Sequence, residues 1–484
     1  MKTLLFYDVE TSGLNPAFDQ ILTFACIRTD LGLAPISRES VTIKLRRDIV
    51  PSPHAFITHC LTPDELDCGI TEYQAAVKIH KLVNTPGTIS VGYNSLGFDD
   101  VFLRFLFYRN LLDPYSHQYA NQCSRMDLLP VTTLFYVFCG HVLQWPHQEN
   151  GNPSLKLELL SHENKFVTSG RAHEAMNDVE AVIELCRIFS QQKEIWAYAL
   201  AFFNKTKDTL RINSLEKKCK IDNFVFRICL MVSASFGAKN NFIAPVIHVG
   251  ESVPYKNQSL WIRLDTEDAW RSDEESDIYD LFVIRKRPGD ELIVLPFLER
   301  FKARLTPGSH ERLKGNLERI QSSPERFLKT IQYHRNYQYP IVPNIDPDAA
   351  LYQAGFFSTL EKKEINRFHG AEDSKKAIAC ASFTSARVKE LSNRILLRNF
   401  PAGFLSPDLA TREYKDHLRL LASLNPQEKI VDFRGDPKHG CAQAMADLKE
   451  LQTGDKAFTP LQKKILAWLK AYVENLIVLG AEPF

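Results

Sequence analysis

Asp8 and Glu10 stand two residues apart at the end of a short apolar run, LLFYDVET. Side chains alternate along an extended chain, so the two carboxylates project to one side and form a single acidic cluster. Like charges so close repel, and withdrawing them from water is costly unless a cation sits between them. A divalent metal ion would supply that charge. The pair alone says little, because the chain has four Asp-x-Glu pairs, the others being Asp178/Glu180, Asp265/Glu267 and Asp273/Glu275. Only the first closes an apolar strand, and a strand running out into solvent is the plainer alternative for it.

Three further residues could join the cluster. Asp99, in GYNSLGFDD, follows an expected strand and opens a helix. Asp100 competes with it, since neighbouring helical residues point about 100° apart and only one of the two faces a given site. His173 stands five residues before Asp178 in RAHEAMNDVEAV. In a regular helix that spacing separates two side chains by about 140°, which places His173 in the loop or first turn and Asp178 on the helix. The same spacing recurs at His59 and Asp64, where Thr62 and Pro63 read instead as a helix cap and first helical residue.

The elements that must position these groups follow from hydrophobic pattern. ILTFACIRTD and SVTIKLR read as β segments after the first strand, and TISVGYNS as another strand. TEYQAAVKIHKLV, behind Thr71 as cap, and FDDVFLRFLFYRNL read as helices. Strands and helices on one core predict an α/β layer structure through residue 193. From 194 to 345 the texture changes to short β runs, NFIAPVIHV, SLWIRLD, LFVIRKR and ELIVLPF, which predict a small barrel or sandwich. Within it, DTEDAWRSDEESDIYD reads as a solvated loop. YHRNYQYPIVPNIDPDAA suits a linker, and ELSNRILLRNF, REYKDHLRLLASL and TPLQKKILAWLKAYVENLIVL are periodic and helical, so the last part, 346–484, reads as all α.

Composition narrows the classes. The chain has 484 residues, 44% of them hydrophobic and 24% charged, which describes two to four globular domains. Lys and Arg number 59 against 58 Asp and Glu, so a nucleic-acid site must be a local basic patch such as FFNKTKDTLRINSLEKKCK. Ten cysteines with no C-x-x-C pair fit scattered thiols in a reducing, cytoplasmic compartment. The apolar start is broken by Asp8, unlike a secretory leader, and the longest uncharged run, Leu128 to Trp145, contains Pro130 and His141 and is no convincing membrane span. A nucleotide-driven motor is set aside by the absence of a G-x-x-x-x-G-K-[ST] loop.

Taken in order, YDVETSG, FDD and AHEAMND resemble the three motifs of the DEDDh class of 3′–5′ exonucleases. GYNSLGFDD, FYRNLLDPY, SRMDLLPV, PSLKLELL, YQAGFF and RNFPAGF narrow the resemblance to the bacterial exodeoxyribonuclease I family across nearly the whole chain. Where many relatives have Asn two residues before the Phe-Asp pair, this chain has Leu96 and Gly97 and an earlier Asn94. The resemblance implies an RNase H-like exonuclease domain with a mixed sheet over 1–193, an SH3-like β-barrel over 194–345 and a helical domain over 346–484.

It also implies an activity: stepwise hydrolysis of single-stranded DNA to mononucleotides from the 3′ end, in DNA repair and recombination. Asp8, Glu10, Asp99 and Asp178 would hold two Mg²⁺ ions, with Mn²⁺ able to substitute. His173 would be general base. Lys156 and Arg104 would meet the substrate backbone, Tyr115 and Tyr119 would offer polar or aromatic contacts, and Glu10, Thr11 and Leu14 would face the terminal nucleotide. The acidic tail of a single-stranded-DNA-binding protein would be a partner, and the enzyme would act as a monomer. Two rivals are an RNA-trimming nuclease of the same class and a non-catalytic scaffold; the presence of all five motif residues speaks against the scaffold.

Overall fold

Strand β1 (Thr3–Thr11) carries four consecutive buried residues, Leu4 to Tyr7, as a strand covered on both faces does. It lies third in a five-stranded sheet of order β3-β2-β1-β4-β5. β2 (Ile21–Thr29) pairs antiparallel with it, setting Asp8 opposite Ala25 and Glu10 opposite Thr23, with an irregularity between Glu10 and Thr11. β3 (Pro35–Thr42) pairs antiparallel with β2, and β4 (Thr88–Gly92) parallel with β1. The sheet is therefore mixed, and β5 (Ser124–Asp127) completes its order. The computed structural model describes residues 2–166, 175–267, 283–405, 430–454 and 457–481; His173 and the segment REYKDHLRLLASL lie outside them.

The parallel β1/β4 pairing needs a crossover, which α1 (Pro53–His59), α2 (Pro63–Asp67) and α3 (Glu72–Val83) supply. Thr62 and Thr71 both close capping boxes, with Glu65 and Gln74. α3 buries Ala75, Ala76, Ile79 and Val83 against Leu5, Tyr7, Val9 and Phe24 of the sheet. α4 (Asp99–Arg109) is apolar nearly all round, because it serves two cores. Phe102, Leu103, Leu106 and Phe107 join the sheet cluster, whereas Phe105 and Tyr108 join Ile365, Phe368, Leu391 and Ile395. Each such side chain stabilises by about 1.5–3 kcal/mol on burial, so α4 is fixed from both sides.

The chain divides into two compact units. One is formed by 1–125, 169–180 and 341–484, the other by 126–168 and 181–340. In the first, helices over Thr359–Gly370, Ala386–Asn399, Cys441–Thr453 and Pro460–Ala481 agree with the helical reading of the last part. The second holds α5 (Leu128–Phe138), α6 (Leu157–Asn164) and strands β6 (Cys219–Ile221), β7 (Phe224–Val232), β8 (Ile243–Glu251), β9 (Ser259–Arg263), β10 (Val283–Lys286) and β11 (Ile293–Pro296). Their order is β10-β9-β8-β7-β11 with β6 beside β7, so among the described residues the sheet is an open path and no closed barrel is seen. Helices over Pro307–Ser322 and Pro324–Asn336 cover it, inserting Leu313, Ile320, Phe327 and Ile331 among Ile247, Val249, Leu260 and Ile262. The β-dominated reading of this region missed both helices.

Asp265 corrects the reading of a solvated acidic loop at its first residue. It is buried, accepting from Arg263 Nε at 2.9 Å and Ser309 Oγ at 2.9 Å, while residues 268–282 lie outside the described ones. Among the described residues no helix is long and apolar enough to cross a membrane.

Candidate active site

β1 delivers Asp8 and Glu10, each half-buried, on one side of the strand. Asp178 comes from the first turn of α7 (Ala175–Ser190). Ligand oxygens of these three carboxylates all lie within 4.8 Å of one another. Asp99, the first residue of α4, is buried and accepts the Val9 backbone N–H on Oδ1 at 3.2 Å. A carboxylate at a helix N-terminus is favoured by the helix dipole. The hydrogen bond fixes Asp99 against the strand that carries the other two acids.

The electrostatics match a cation site. Burial, then Asp99, Glu10 and Asp178, hold Asp8 well above the usual carboxylate range. Burial, then Asp178 and Asp99, push Glu10 up to about 8. Acids that cannot all ionise together without help, and that offer only hard oxygen donors, suit a divalent ion such as Mg²⁺ or Mn²⁺.

Asp100 faces elsewhere. It is wholly buried and accepts from Arg104 Nε at 2.8 Å, Arg125 Nη1 at 2.5 Å and His117 Nε2 at 2.8 Å. Burial would raise its pKa, but Arg104, Arg125 and His117 outweigh that and hold it far below the usual range. The adjacent acids are thus separated by a helical step, Asp99 toward the acidic cluster and Asp100 toward fixed cations. Nothing in the motif alone pointed to Arg125 and His117.

The other expected contacts divide. Arg104 donates to Asp100 and lies with Nη1 3.3 Å from the Tyr352 hydroxyl. Thr11 is buried with its hydroxyl donated to Gly13 O at 2.7 Å, whereas Leu14 is 82% exposed. Gly13 fits this turn because a Cβ there would meet Asp19 Oδ2 at 2.5 Å, and Asp19 is needed to accept from Ser12 Oγ and the Asn15 N–H. Tyr115 is half-buried and Tyr119 is 63% exposed. Lys156 is exposed at the start of α6, in the second unit. A cavity of about 1040 Å³ is lined by Glu10, Thr11, Leu14 and Phe98 on one side and by His54 and His439 among others. The histidines gave no recognisable signal in the sequence.

A mixed sheet presents an acidic cluster at the end of its central strand, and comparison with known proteins places the chain in the class of exonucleases. Residues 5–186 match the exonuclease family model and residues 345–476 match the exonuclease I C-terminal domain. Exodeoxyribonuclease I of Escherichia coli strain K12 is 29% identical over 500 residues, covering 98% of each chain. The zinc-bound E. coli exonuclease I complex with single-stranded DNA superposes with a TM-score of 0.80 at 25% identity, covering 99% of this chain and 100% of that one. A crystal structure of SSB and exonuclease I with the inhibitor CFAM gives a TM-score of 0.79 at 25% identity over 98% of this chain and 100% of that one.

The chain is an exonuclease, similar to bacterial exodeoxyribonuclease I along nearly its whole length.

Proposed function

We propose that the enzyme is a metal-dependent 3′–5′ exonuclease that shortens single-stranded DNA to mononucleotides, serving DNA repair and recombination in the cytoplasm. The convergence of Asp8, Glu10 and Asp178 within 4.8 Å carries this reading. Asp8, Glu10 and Asp178 would hold one divalent ion and Asp8 with Asp99 a second. Divalent ions held by these carboxylates would supply activation of a water and neutralisation of charge on the phosphate and the leaving oxygen. Mg²⁺ is the proposed ion, with Mn²⁺ as substitute.

The chain's own residues supply the rest. His173 takes the proton of the attacking water, since imidazole titrates near neutral pH. Glu10 and Leu14 bound the cavity for the terminal nucleotide, and Thr11 holds the turn that presents Leu14. Lys156 meets a backbone phosphate, while Tyr115 and Tyr119 offer faces to bases. Arg104 also reaches the substrate backbone, while its Nε holds Asp100 in the first turn of α4. The functional parts are an exonuclease domain over 1–193, an SH3-like domain over 194–345, supported by its antiparallel strands, and a helical domain over 346–484. An SSB tail is the proposed partner of a monomeric enzyme.

The test is a 5′-labelled single strand in Mg²⁺ beside 3′-labelled, duplex and RNA strands, for wild type, Asp8→Ala and His173→Ala. Shortening of the 5′-labelled DNA, abolished by chelator and lost in both variants, is expected. Intact DNA with trimmed RNA would transfer the activity to RNA, and binding without cleavage would overturn catalysis.

A further inference from the structure

Asn15, which follows Leu14 on the turn after β1, has its backbone and its side-chain oxygen engaged within that turn. Its N–H donates to Asp19 Oδ2 at 2.8 Å, its carbonyl accepts from the Phe18 and Asp19 N–H groups at 3.2 and 2.7 Å, and its Oδ1 accepts the Ala17 N–H at 3.1 Å. The Ala17 N–H needs an oxygen, so the amide has one orientation. Its nitrogen points out of the turn and donates to Asp432 Oδ2 at 3.2 Å, 417 residues along the chain.

Asp432 is 2% exposed and is itself fixed. Its Oδ1 accepts the Arg434 and Asp436 N–H groups at 2.7 and 3.0 Å, its own N–H donates to Asp436 O at 2.9 Å, and Val431 is bridged to Pro437. One carboxylate oxygen therefore holds the Asp432 turn and the other holds Asn15, in a charge-assisted bond that is stronger than a neutral one. Leu14 is 82% exposed between fixed neighbours, since Gly13 O accepts from Thr11 Oγ1 and the Asn15 N–H is held by Asp19. An apolar side chain kept in water on a stiff turn forgoes burial and loses little freedom when something covers it. The local bonds already shape the turn. The bond to Asp432 adds its placement against Ile430, Pro437 and His439, which line the same cavity as Glu10 and Leu14 and come from the segment that carries Asp432. All of these residues belong to the first unit.

We propose that Asp432 is a positioning residue of the nuclease site: through Asn15 it sets Leu14 against the base of the nucleotide to be removed. This rests on the exonuclease reading above and deepens it, because Asp432 lies outside the exonuclease match and inside the C-terminal one. Exchanging the pair isolates the bond. In Asp432→Asn the remaining oxygen still accepts the Arg434 and Asp436 N–H groups, and an amide nitrogen faces the Asn15 amide. In Asn15→Asp one carboxylate oxygen still accepts the Ala17 N–H, and two carboxylates meet. Each single variant breaks the bond, and the double variant remakes it with donor and acceptor reversed.

The full chain is assayed in Mg²⁺ on single strands with an ordinary 3′ nucleotide and with an abasic one, and the ratio of kcat/KM gives the preference for a terminal base. Wild type should prefer the base. Asp432→Asn and Asn15→Asp should each lose about five-fold or more of that preference, part of what burying a leucine is worth, with the loss in KM and kcat held within about two-fold. The double variant should recover it, and it carries the test even where a single variant fails to fold. In a Leu14→Ala background Asp432→Asn should cost nothing further. A purely structural tie would instead lower turnover on both ends alike. A wild type without preference, single variants that keep it, a double variant that does not recover it, or a loss that adds to that of Leu14→Ala overturns the assignment. Failure of the exonuclease reading shows separately, as wild type that binds both strands and cleaves neither; anisotropy of the same two strands in chelator then measures the preference, and the same outcomes decide.

Discussion

Adjacent acids at the start of α4 should have opposite signatures when each is changed to Asn. Asp100 is an ionised carboxylate with three partners, and Asp100→Asn leaves Arg104 and Arg125 facing a neutral amide that can accept but not balance them. Breaking a buried ion pair typically costs about 3–5 kcal/mol. The side chains of Arg104 and Arg125 are 15% and 18% exposed, so water recovers part of the loss and about 3 kcal/mol is expected. With a urea slope of about 3 kcal/mol/M, the unfolding midpoint falls by about 1 M. Because the Asp100 pKa is depressed, this stabilisation is present above the ordinary carboxylate range and is lost as pH falls.

Asp99→Asn keeps an oxygen for the Val9 N–H and removes a charge that raises Asp8 and Glu10. Without metal its midpoint should stay level or rise, while turnover in Mg²⁺ drops at least about a hundred-fold, near 2.7 kcal/mol of barrier. Urea titrations in chelator followed by circular dichroism, beside a nuclease assay, read both quantities. An Asp99→Asn protein that is destabilised by about 3 kcal/mol and still cleaves, with Asp100→Asn stable and inactive, would reverse the assignment.

Glu10 gives a pH signature of the metal-free protein. Its pKa is raised from 4.5 to about 8, so the native state holds the proton more tightly. The stability this contributes is full below the unfolded value and is lost as pH rises through that window. At pH 7 the loss is about 1–3 kcal/mol after allowance for its partial exposure, and Glu10→Gln should flatten the slope of urea midpoint against pH. Adding Mg²⁺ should raise the melting temperature, by the equivalent of about 2.7 kcal/mol at a hundred times the dissociation constant; Asp8→Asn should abolish that shift and His173→Ala keep it while losing turnover. Lys156→Ala should raise KM and lower the slope of log affinity against log salt by about 1.

The acids were legible because two local rules place them: alternation puts Asp8 and Glu10 together, and a helix start after a strand sets Asp99. Their convergence with Asp178 was not legible from period or spacing, since it depends on how α7 meets the sheet; the ordered motifs carried it. The caps at Thr62 and Thr71 were readable because each is closed by a side chain three residues on. The helices over Pro307–Ser322 and Pro324–Asn336 were masked by the β-like runs before them, although Thr306 and Pro307 mark a helix start. The Asp100 partner of Arg104, four residues back on the same helix face, follows the spacing of helical ion pairs.

The boundary between the two matched families is not an energetic boundary. Arg46 donates to Asp48 and Glu72, and Arg109 to Glu72, all of them within the exonuclease match. Arg398, within the C-terminal match, donates to Asp48 at 2.8 Å and to Asp348 at 2.6 Å. Burial opposes the charge on Glu72, yet Arg109 and Arg46 hold its pKa below the usual value. Arg46, Asp48, Glu72, Arg109 and Asp348 are all buried. Such a network adds little net stability over an apolar core, but removing one member leaves an uncompensated buried charge. An exonuclease segment cut away from 345–476 would strip Asp48 of Arg398 and expose the face of α4 that packs on Phe368 and Leu391. α4 carries Asp99 at its first position, so the helical segment packs directly on the helix that presents this acid, and loss of that packing is expected to lower both stability and turnover.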